Sequence, residues 1–151
     1  MQTSGTITVS APRAQAYAFI SDPRRLAACI PGCTDLRELA PGTYAAVLGS
    51  KVGFITVRFD VTVEITKQEP NEAIEATITG KPMGLAGRLE ARAAMTLADS
   101  DAGATAIRYA VELGLTGKLG GIGQPVFTSK SEQLAREFGD NLRAAIEGSP
   151  R

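Results

Sequence analysis

A chain of 151 residues is long enough for one domain with a full hydrophobic core. Its 16 Lys and Arg residues balance 16 Asp and Glu residues without any block of like charge, which argues against nucleic acid as a partner and against an electrostatic membrane anchor. The chain contains no histidine, which excludes Ser-His-Asp and Cys-His nucleophile systems and the usual zinc sites.

The N-terminal sequence has no basic segment followed by an apolar one, and no apolar run approaches the roughly 18 residues of a membrane-spanning helix. We therefore expect a soluble, cytoplasmic protein. We also expect one domain over residues 1–148 and a short tail at 149–151, because no linker, repeat or low-complexity segment divides the chain.

The chain begins with a strand. In residues 5–10, GTITVS, Ile7 and Val9 fall on one side and threonines on the other, which is the period of a half-buried strand. Pro12 then suits the first turn of a helix that continues to Ile20.

A second short helix follows directly. Asp22 and Pro23 form an N-cap and first-turn pair, and the helix is predicted to continue to about Cys29. Pro31 and Gly32 then end it.

A period of two dominates the middle of the chain. In residues 57–66 every odd position is apolar and every even one is polar, so one face of this strand is predicted to be buried. The same pattern predicts strands at 73–79, 88–97 and 105–115, and weaker strands at 35–40 and 43–55. Turn signals rich in Gly, Pro, Asn and Asp separate these strands.

Helical spacing returns at the end of the chain. From Pro125 onward one apolar stripe is formed by Phe127, Leu134, Phe138, Leu142 and Ile146. A helix of about 22 residues, roughly 33 Å long, can cross the whole width of a sheet.

This order of elements predicts an α+β protein of the helix-grip type. We expect a curved antiparallel sheet of about six to seven strands around a long C-terminal helix, with two short helices after the first strand.

Alanines occupy several predicted inward positions of the sheet, namely Ala76, Ala91 and Ala93. Either the helix lies closer to the sheet at these alanines, or an apolar cavity remains that would suit a lipid, an isoprenoid or a quinone. The predicted lining of that cavity is Phe59, Val61, Ile78, Leu89, Ala91, Met95, Tyr109, Phe127, Leu134 and Phe138.

Two glycine-rich segments, 80–87 and 114–123, are predicted to be flexible and to form the mouth of the cavity. They carry Met83, Leu85, Leu119 and Ile122, which either contact a membrane or a partner or pack onto the edge of the core. The second segment matches neither the Walker A pattern nor the dinucleotide-binding glycine pattern, so we do not expect nucleotide binding.

Cys29 and Cys33 flank an Ile-Pro-Gly turn with the spacing C-x-x-x-C. Two thiolates supply half of a tetrahedral zinc site, and the sequence offers no second Cys pair or histidine to complete it. The spacing also differs from the C-x-x-C redox motif. We therefore predict a structural or incidental role, with a thiol or redox role as the alternative, and no bound metal.

The N-terminal third resembles the G-subunit family of carbon monoxide dehydrogenase, which lies within the START/Bet v 1-like (SRPBCC) superfamily. The resemblance is carried by Ala11-Pro12-Arg13, Asp22-Pro23 and Leu26-Ala27-Ala28-Cys29-Ile30-Pro31-Gly32-Cys33, and then in the family's order by Lys51-Val52-Gly53, the glycine-rich segment 80–87, Gly117-Lys118-Leu119 and the terminal helix. The N-terminal motif is fairly specific for the family, whereas the strand and helix pattern identifies only the superfamily.

The resemblance implies a non-catalytic accessory protein that binds an apolar ligand, an isoprenoid quinone or a lipid. It also implies service to a molybdenum carbon monoxide dehydrogenase-like oxidoreductase, with peripheral contact at the inner face of the cell membrane. Some members of the family continue beyond the long helix, whereas this sequence ends at Arg151, so a tail-dependent membrane anchor is not expected.

Two other functions remain open at this stage. A polyketide cyclase- or hydrolase-like enzyme would need Tyr109, Tyr44 or a carboxylate facing the cavity with a shifted pKa. A protein-interaction module with a vestigial cavity would dock its partner through the glycine-rich segments and the charged face of the helix.

Overall fold

Seven antiparallel strands form one sheet in the computed structural model, which describes residues 2–52, 55–84 and 86–148, with side chains except at 50–52, 55 and 118–129. The elements in chain order are β1 (Gln2–Val9), α1 (Arg13–Ile20), α2 (Pro23–Cys29), β2 (Cys33–Ala40), β3 (Thr43–Val52), β4 (Ile55–Glu69), β5 (Ala73–Pro82), β6 (Arg88–Asp99), β7 (Thr105–Thr116) and α3 (Lys118–Glu147). Across the sheet the order is β1-β7-β6-β5-β4-β3-β2, so β1 and β2 form its edges. The predicted helix-grip architecture is confirmed.

The two short helices begin and end where the sequence signals predict. The Asp22 carboxylate accepts hydrogen bonds from the backbone N–H groups of Arg24 at 3.1 Å and Arg25 at 3.5 Å, which satisfies two donors of the first turn of α2. Pro23 occupies the first helical position, where its missing N–H costs no hydrogen bond.

The turn after α2 docks onto β3 through backbone atoms. Gly32 has a φ of +80°, and its carbonyl accepts a hydrogen bond of 2.9 Å from the N–H of Gly49. A Cβ atom at Gly32 would overlap the Gly49 carbonyl oxygen. Glycine is therefore required here both by the backbone angle and by the close approach of two chain segments.

The alternation in the middle of the chain is confirmed by the strand registers. Val61 pairs with Gly80, Ile78 with Ala91, and Ala93 with Val111, so the predicted inward residues share one face. We call this the inner face, because α3 packs on it, with Gly139 of the helix next to Ile7 of β1. A bulge between Ile65 and Lys67 shifts the register near the end of β4.

Helix α3 is longer than the sequence predicts. It spans 30 residues from Lys118, whereas the sequence predicted a flexible segment over 114–123 and a helix from Pro125. That prediction was wrong because tertiary packing overrides the low helix propensity of glycine. Gly117, with a φ of +70°, lies against Gly87, where a Cβ at Gly117 would be 2.9 Å from the Gly87 Cα, and this contact fixes the start of the helix.

The inner face carries two separate apolar cores. The first core joins α1, α2 and the end of α3 to one end of the sheet and contains Ile7, Val9, Ala11, Ala16, Phe19, Ile20, Cys29, Ile74, Leu97, Ile107, Leu142 and Ile146. The second core contains Ala46, Phe59, Val61, Leu89 and Ala91. Leu97 and Leu89 lie eight residues apart on β6, so about 26 Å separates the two cores along that strand.

Candidate functional site

Two rows of apolar residues cross the inner face between the two cores. The strand registers place Val111, Ala93, Ala76 and Ile65 in one row, and Leu113, Ala91, Ile78 and Val63 in the next. We call these eight residues the middle rows. Apart from Ala91 they are only half-buried, so apolar surface remains accessible under the helix side of the sheet.

Ala76 and Ala93 form the centre of the middle rows. They are direct partners across β5 and β6, and among the described residues they belong to neither core. The sequence singled out the inward alanines as the sign of a void. Their pairing puts the smallest side chains of the inner face at one point, midway between the two cores.

The structure divides the predicted cavity residues between the two cores. Five of them, Phe59, Val61, Ile78, Leu89 and Ala91, lie in or against the second core. Three others, Met95, Tyr109 and Phe138, pack against the first core, and Leu134 is half-buried on α3. Phe127 lies in the part of α3 whose side chains are not described. Their role in ligand binding stays a prediction.

The four residues predicted at the cavity mouth are only partly described. Met83 follows β5 and is 46% exposed. Leu85 lies outside the described residues, as do the side chains of Leu119 and Ile122, whose backbone forms the first turns of α3 rather than a loop. The contact between Gly87 and Gly117 does bring the two glycine-rich segments together, at the end of the sheet that holds the second core.

The two tyrosines considered for catalysis occupy different positions. Tyr44 is the partner of Val63 and is half-buried, which puts it on the inner face beside the middle rows. Tyr109 leans across Gly5 of the edge strand, where a Cβ would lie 2.5 Å from its hydroxyl oxygen. The Tyr109 hydroxyl therefore lies at the β1 edge of the inner face, away from Ala76 and Ala93.

Charge is excluded from the middle rows, whose eight members are all apolar. The carboxylates of Asp60, Glu75, Glu90 and Glu112 lie on the opposite face, since each pairs with outward residues of the neighbouring strands. Among the described residues every buried side-chain nitrogen or oxygen has a hydrogen-bond partner. This surface can hold an apolar molecule by burial, and it offers no charged group for acid–base chemistry.

The two cysteines pack into different cores. Cys29 is buried in the first core, with its Sγ 3.5 Å from the Arg25 carbonyl oxygen, whereas Cys33 is half-buried against the second core. Both are free thiols, and burial raises the pKa of each. Because the thiolate is the reactive and metal-binding form, the environment of both groups lowers their reactivity.

Sequence reasoning missed the contribution of β3 to this face. Tyr44, Ala46 and Leu48 all point inward and pair with β4 residues of the middle rows or the second core. Their alternation is present in the sequence, but it is interrupted by Ala45 and Val47, which are apolar although they lie on the outer face. The period of two was therefore weaker here than in β4.

Within the described residues, no helix is long and apolar enough to cross a membrane. The same part of the chain contains no group of three or more Cys, Asp or Glu side chains placed to hold a metal ion.

Solved structures with the same fold come from several bacteria. A conserved protein from Geobacillus kaustophilus superimposes with a TM-score of 0.84 at 22% identity, covering 97% of this chain and 95% of that one. The ZhuI aromatase/cyclase from Streptomyces sp. R1128 gives 0.70 at 13% identity, with 97% and 93% covered. A protein from Chromobacterium violaceum gives 0.68 at 19% identity, with 98% and 99% covered. These similarities establish the fold alone.

A comparison with curated proteins gave no match. The model of the CoxG family, the G-subunit family of carbon monoxide dehydrogenase, matches residues 5–147. This range includes the N-terminal motif, all of β2–β7 and the whole described length of α3 to its last turn. The chain therefore belongs to the CoxG family of carbon monoxide dehydrogenase.

Proposed function

We propose that this protein binds and carries an apolar ligand, an isoprenoid quinone or a lipid, between the middle rows and α3. The observation that carries the proposal is the half-buried apolar surface centred on Ala76 and Ala93, midway between two fully packed cores. The cores hold the helix and the sheet together at both ends, so the surface between them does not have to be filled by side chains for the fold to be stable.

The chemistry of the surface sets the class of ligand. Eight apolar side chains without a charge favour a hydrocarbon chain or an uncharged ring, whose affinity comes from removing apolar area from water at about 25 cal/mol per Å². Tyr44 supplies a hydroxyl at the border of the middle rows, which suits one carbonyl or hydroxyl of a quinone.

The family suggests the setting in which such a carrier works. Membership in the CoxG family supports an accessory role beside a molybdenum-containing oxidoreductase of the carbon monoxide dehydrogenase type, with exchange of the ligand at the inner face of the cell membrane. The exposed Met83 and the meeting of the two glycine-rich segments at Gly87 and Gly117 favour this end of the sheet as the entrance.

A titration with a short-chain benzoquinone that carries one isoprenoid unit tests the proposal. Ala93→Phe puts a ring into the centre of the middle rows and is expected to weaken binding at least about tenfold, which corresponds to about 1.4 kcal/mol. Ala98→Phe is the matched control, because Ala98 is exposed and shares the outer face of the same strand with Ala94.

The result is informative only for folded variants, so thermal unfolding of both proteins accompanies the titration. Equal affinity of wild type, Ala93→Phe and Ala98→Phe would contradict a site at the middle rows. Failure of the wild type to bind both the quinone and a dispersed phospholipid would contradict the function itself.

A further inference from the structure

The free edge of β1 exposes backbone hydrogen-bonding groups of known identity. The N–H of Ser100 donates to the Ala104 carbonyl at 2.8 Å in the β6–β7 hairpin, which means that the even-numbered residues of β7 direct their backbone groups toward β6. The odd-numbered residues of β7 then face β1. Through the unbroken register of the β1–β7 pair, the backbone N–H and C=O groups of Gln2, Ser4, Thr6 and Thr8 point to the free edge.

One side chain confirms this direction. Arg143 of α3 reaches over the edge and donates from Nε to the Thr8 carbonyl at 3.1 Å. An arginine can bond this oxygen only if the carbonyl is directed away from β7 or shares its second lone pair.

The opposite edge of the sheet is built differently. β2 carries two register irregularities, a residue with positive φ at Asp35, and charged side chains at Arg37 and Glu38. Bulges and charges of this kind prevent another strand from pairing. β1 has a continuous register over eight residues and contains neither a charged residue nor a proline. Of the two edges, β1 is therefore the one that remains competent to pair.

A charged row of α3 runs beside this edge. An open groove of about 390 Å³ separates Ser4 and Thr6 of β1 from the helix, whose lining side chains are Glu132, Arg136, Asp140 and Arg143. Their spacing of four, four and three residues puts them on one side of the helix, with alternating negative and positive charge. Within the chain, Arg143 and Asp140 are 3.5 Å apart.

The alternation is complementary to itself when reversed. If a second row runs antiparallel to the first, Glu132 faces Arg143 and Arg136 faces Asp140, so that all four pairs across the rows are attractive. Antiparallel pairing of two identical strand edges produces this reversal, because a twofold axis through the edge also reverses the neighbouring helix.

We propose that β1 and the charged row form a twofold interface with a second copy of this chain, which extends the sheet across two protomers. Arg143 contacts Thr8 and Gly139 contacts Ile7, so the midpoint of the row, between Arg136 and Asp140, lies near Thr6. The axis therefore passes close to Thr6. Thr6 then pairs with its own counterpart and Ser4 with Thr8 of the second copy, through the backbone groups that point to the edge.

Disulfide cross-linking of the full chain tests the axis directly. In a hydrogen-bonded antiparallel pair the Cα atoms are about 5.5 Å apart, within the range that a disulfide spans. Thr6→Cys is expected to form a dimer under mild oxidation, identified by a peptide that contains two copies of Cys at position 6. Ser10→Cys is the matched control, because in this arrangement the two copies of residue 10 are about 26 Å apart.

Sedimentation over a concentration series tests the charged row without new cysteines. Arg136→Glu is expected to raise the dimer dissociation constant about tenfold or more, since it places like charges opposite each other twice in the dimer. Glu137→Arg is the control, because Glu137 lies on the same turn outside the groove, where it accepts a hydrogen bond from Gln133 at 3.1 Å. The double variant Arg136→Glu/Asp140→Arg restores the opposite charges across the axis and is expected to recover most of the lost affinity.

Three results would overturn the proposal. These are a wild-type chain that stays monomeric at millimolar concentration, a dimer in which Thr6→Cys cross-links no faster than Ser10→Cys, and equal effects of Arg136→Glu and Glu137→Arg. A monomer that pairs only with an extended peptide of another protein would assign the edge to a different partner and would equally contradict self-association.

Discussion

Replacing Gly32 by alanine tests the role of the Ile-Pro-Gly turn. The backbone at this position has a φ of +80°, which costs an alanine about 1–2 kcal/mol. The added Cβ also overlaps the Gly49 carbonyl oxygen, and moving the turn away weakens the 2.9 Å hydrogen bond from Gly49 N–H to Gly32. A forced shift of packed backbone costs about 1–3 kcal/mol, and the hydrogen bond contributes about 0.5–1.5 kcal/mol. We expect Gly32→Ala to lower the free energy of unfolding by about 3–6 kcal/mol.

Gly42 provides a matched control for this substitution. Its φ of +79° is nearly the same, and a Cβ there would meet no heavy atom within 4 Å. Gly42→Ala should therefore cost only the backbone term, about 1–2 kcal/mol. Urea unfolding of both variants, with wild-type m-values as a check, measures the difference. Equal losses for Gly32→Ala and Gly42→Ala would refute the argument that Gly32 is required by its contact with β3.

Three further predictions concern the cores. The fully buried Thr105 donates its hydroxyl to the Ala11 carbonyl at 2.7 Å, so Thr105→Val should cost about 1–3 kcal/mol in urea unfolding, while Thr105→Ser, which keeps the hydroxyl, should cost less. Leu142 is fully buried in the first core, and Leu142→Ala should cost about 2–5 kcal/mol; a loss below 1 kcal/mol would contradict the packing of α3. Burial raises the pKa of the Cys29 and Cys33 thiols, so their contribution to stability is complete below the ordinary thiol pKa and is lost as the pH rises through the raised value. The urea midpoint should consequently fall more steeply at alkaline pH in the wild type than in Cys29→Ala/Cys33→Ala, and parallel pH profiles would contradict this reasoning.

The strands and short helices could be predicted because their signals are local. The alternation in β4 and the Asp22–Pro23 pair each specify their element without reference to the rest of the chain. The start of α3 could not be predicted in this way, because its glycines favour a loop locally and the contact of Gly117 with Gly87 is made only in the folded sheet.

The candidate site was predicted only in part for a similar reason. The inward alanines were visible in the sequence, and the register shows that Ala76 and Ala93 meet at one point. The division of the inner face into two cores depends on how α1, α2 and α3 gather at one end of the sheet, which no strand pattern encodes. Tyr109 illustrates the limit, since its parity is inward but its ring leans over Gly5 toward the edge.

Native mass spectrometry of the gently purified full chain, followed by organic extraction, tests the central claim most directly. The account predicts one apolar molecule per chain, a quinone or a lipid, which is absent from Ala93→Phe and retained by Ala98→Phe. An empty wild-type protein that also gains no mass when quinone or phospholipid is added would contradict the assignment of the middle rows as a binding surface.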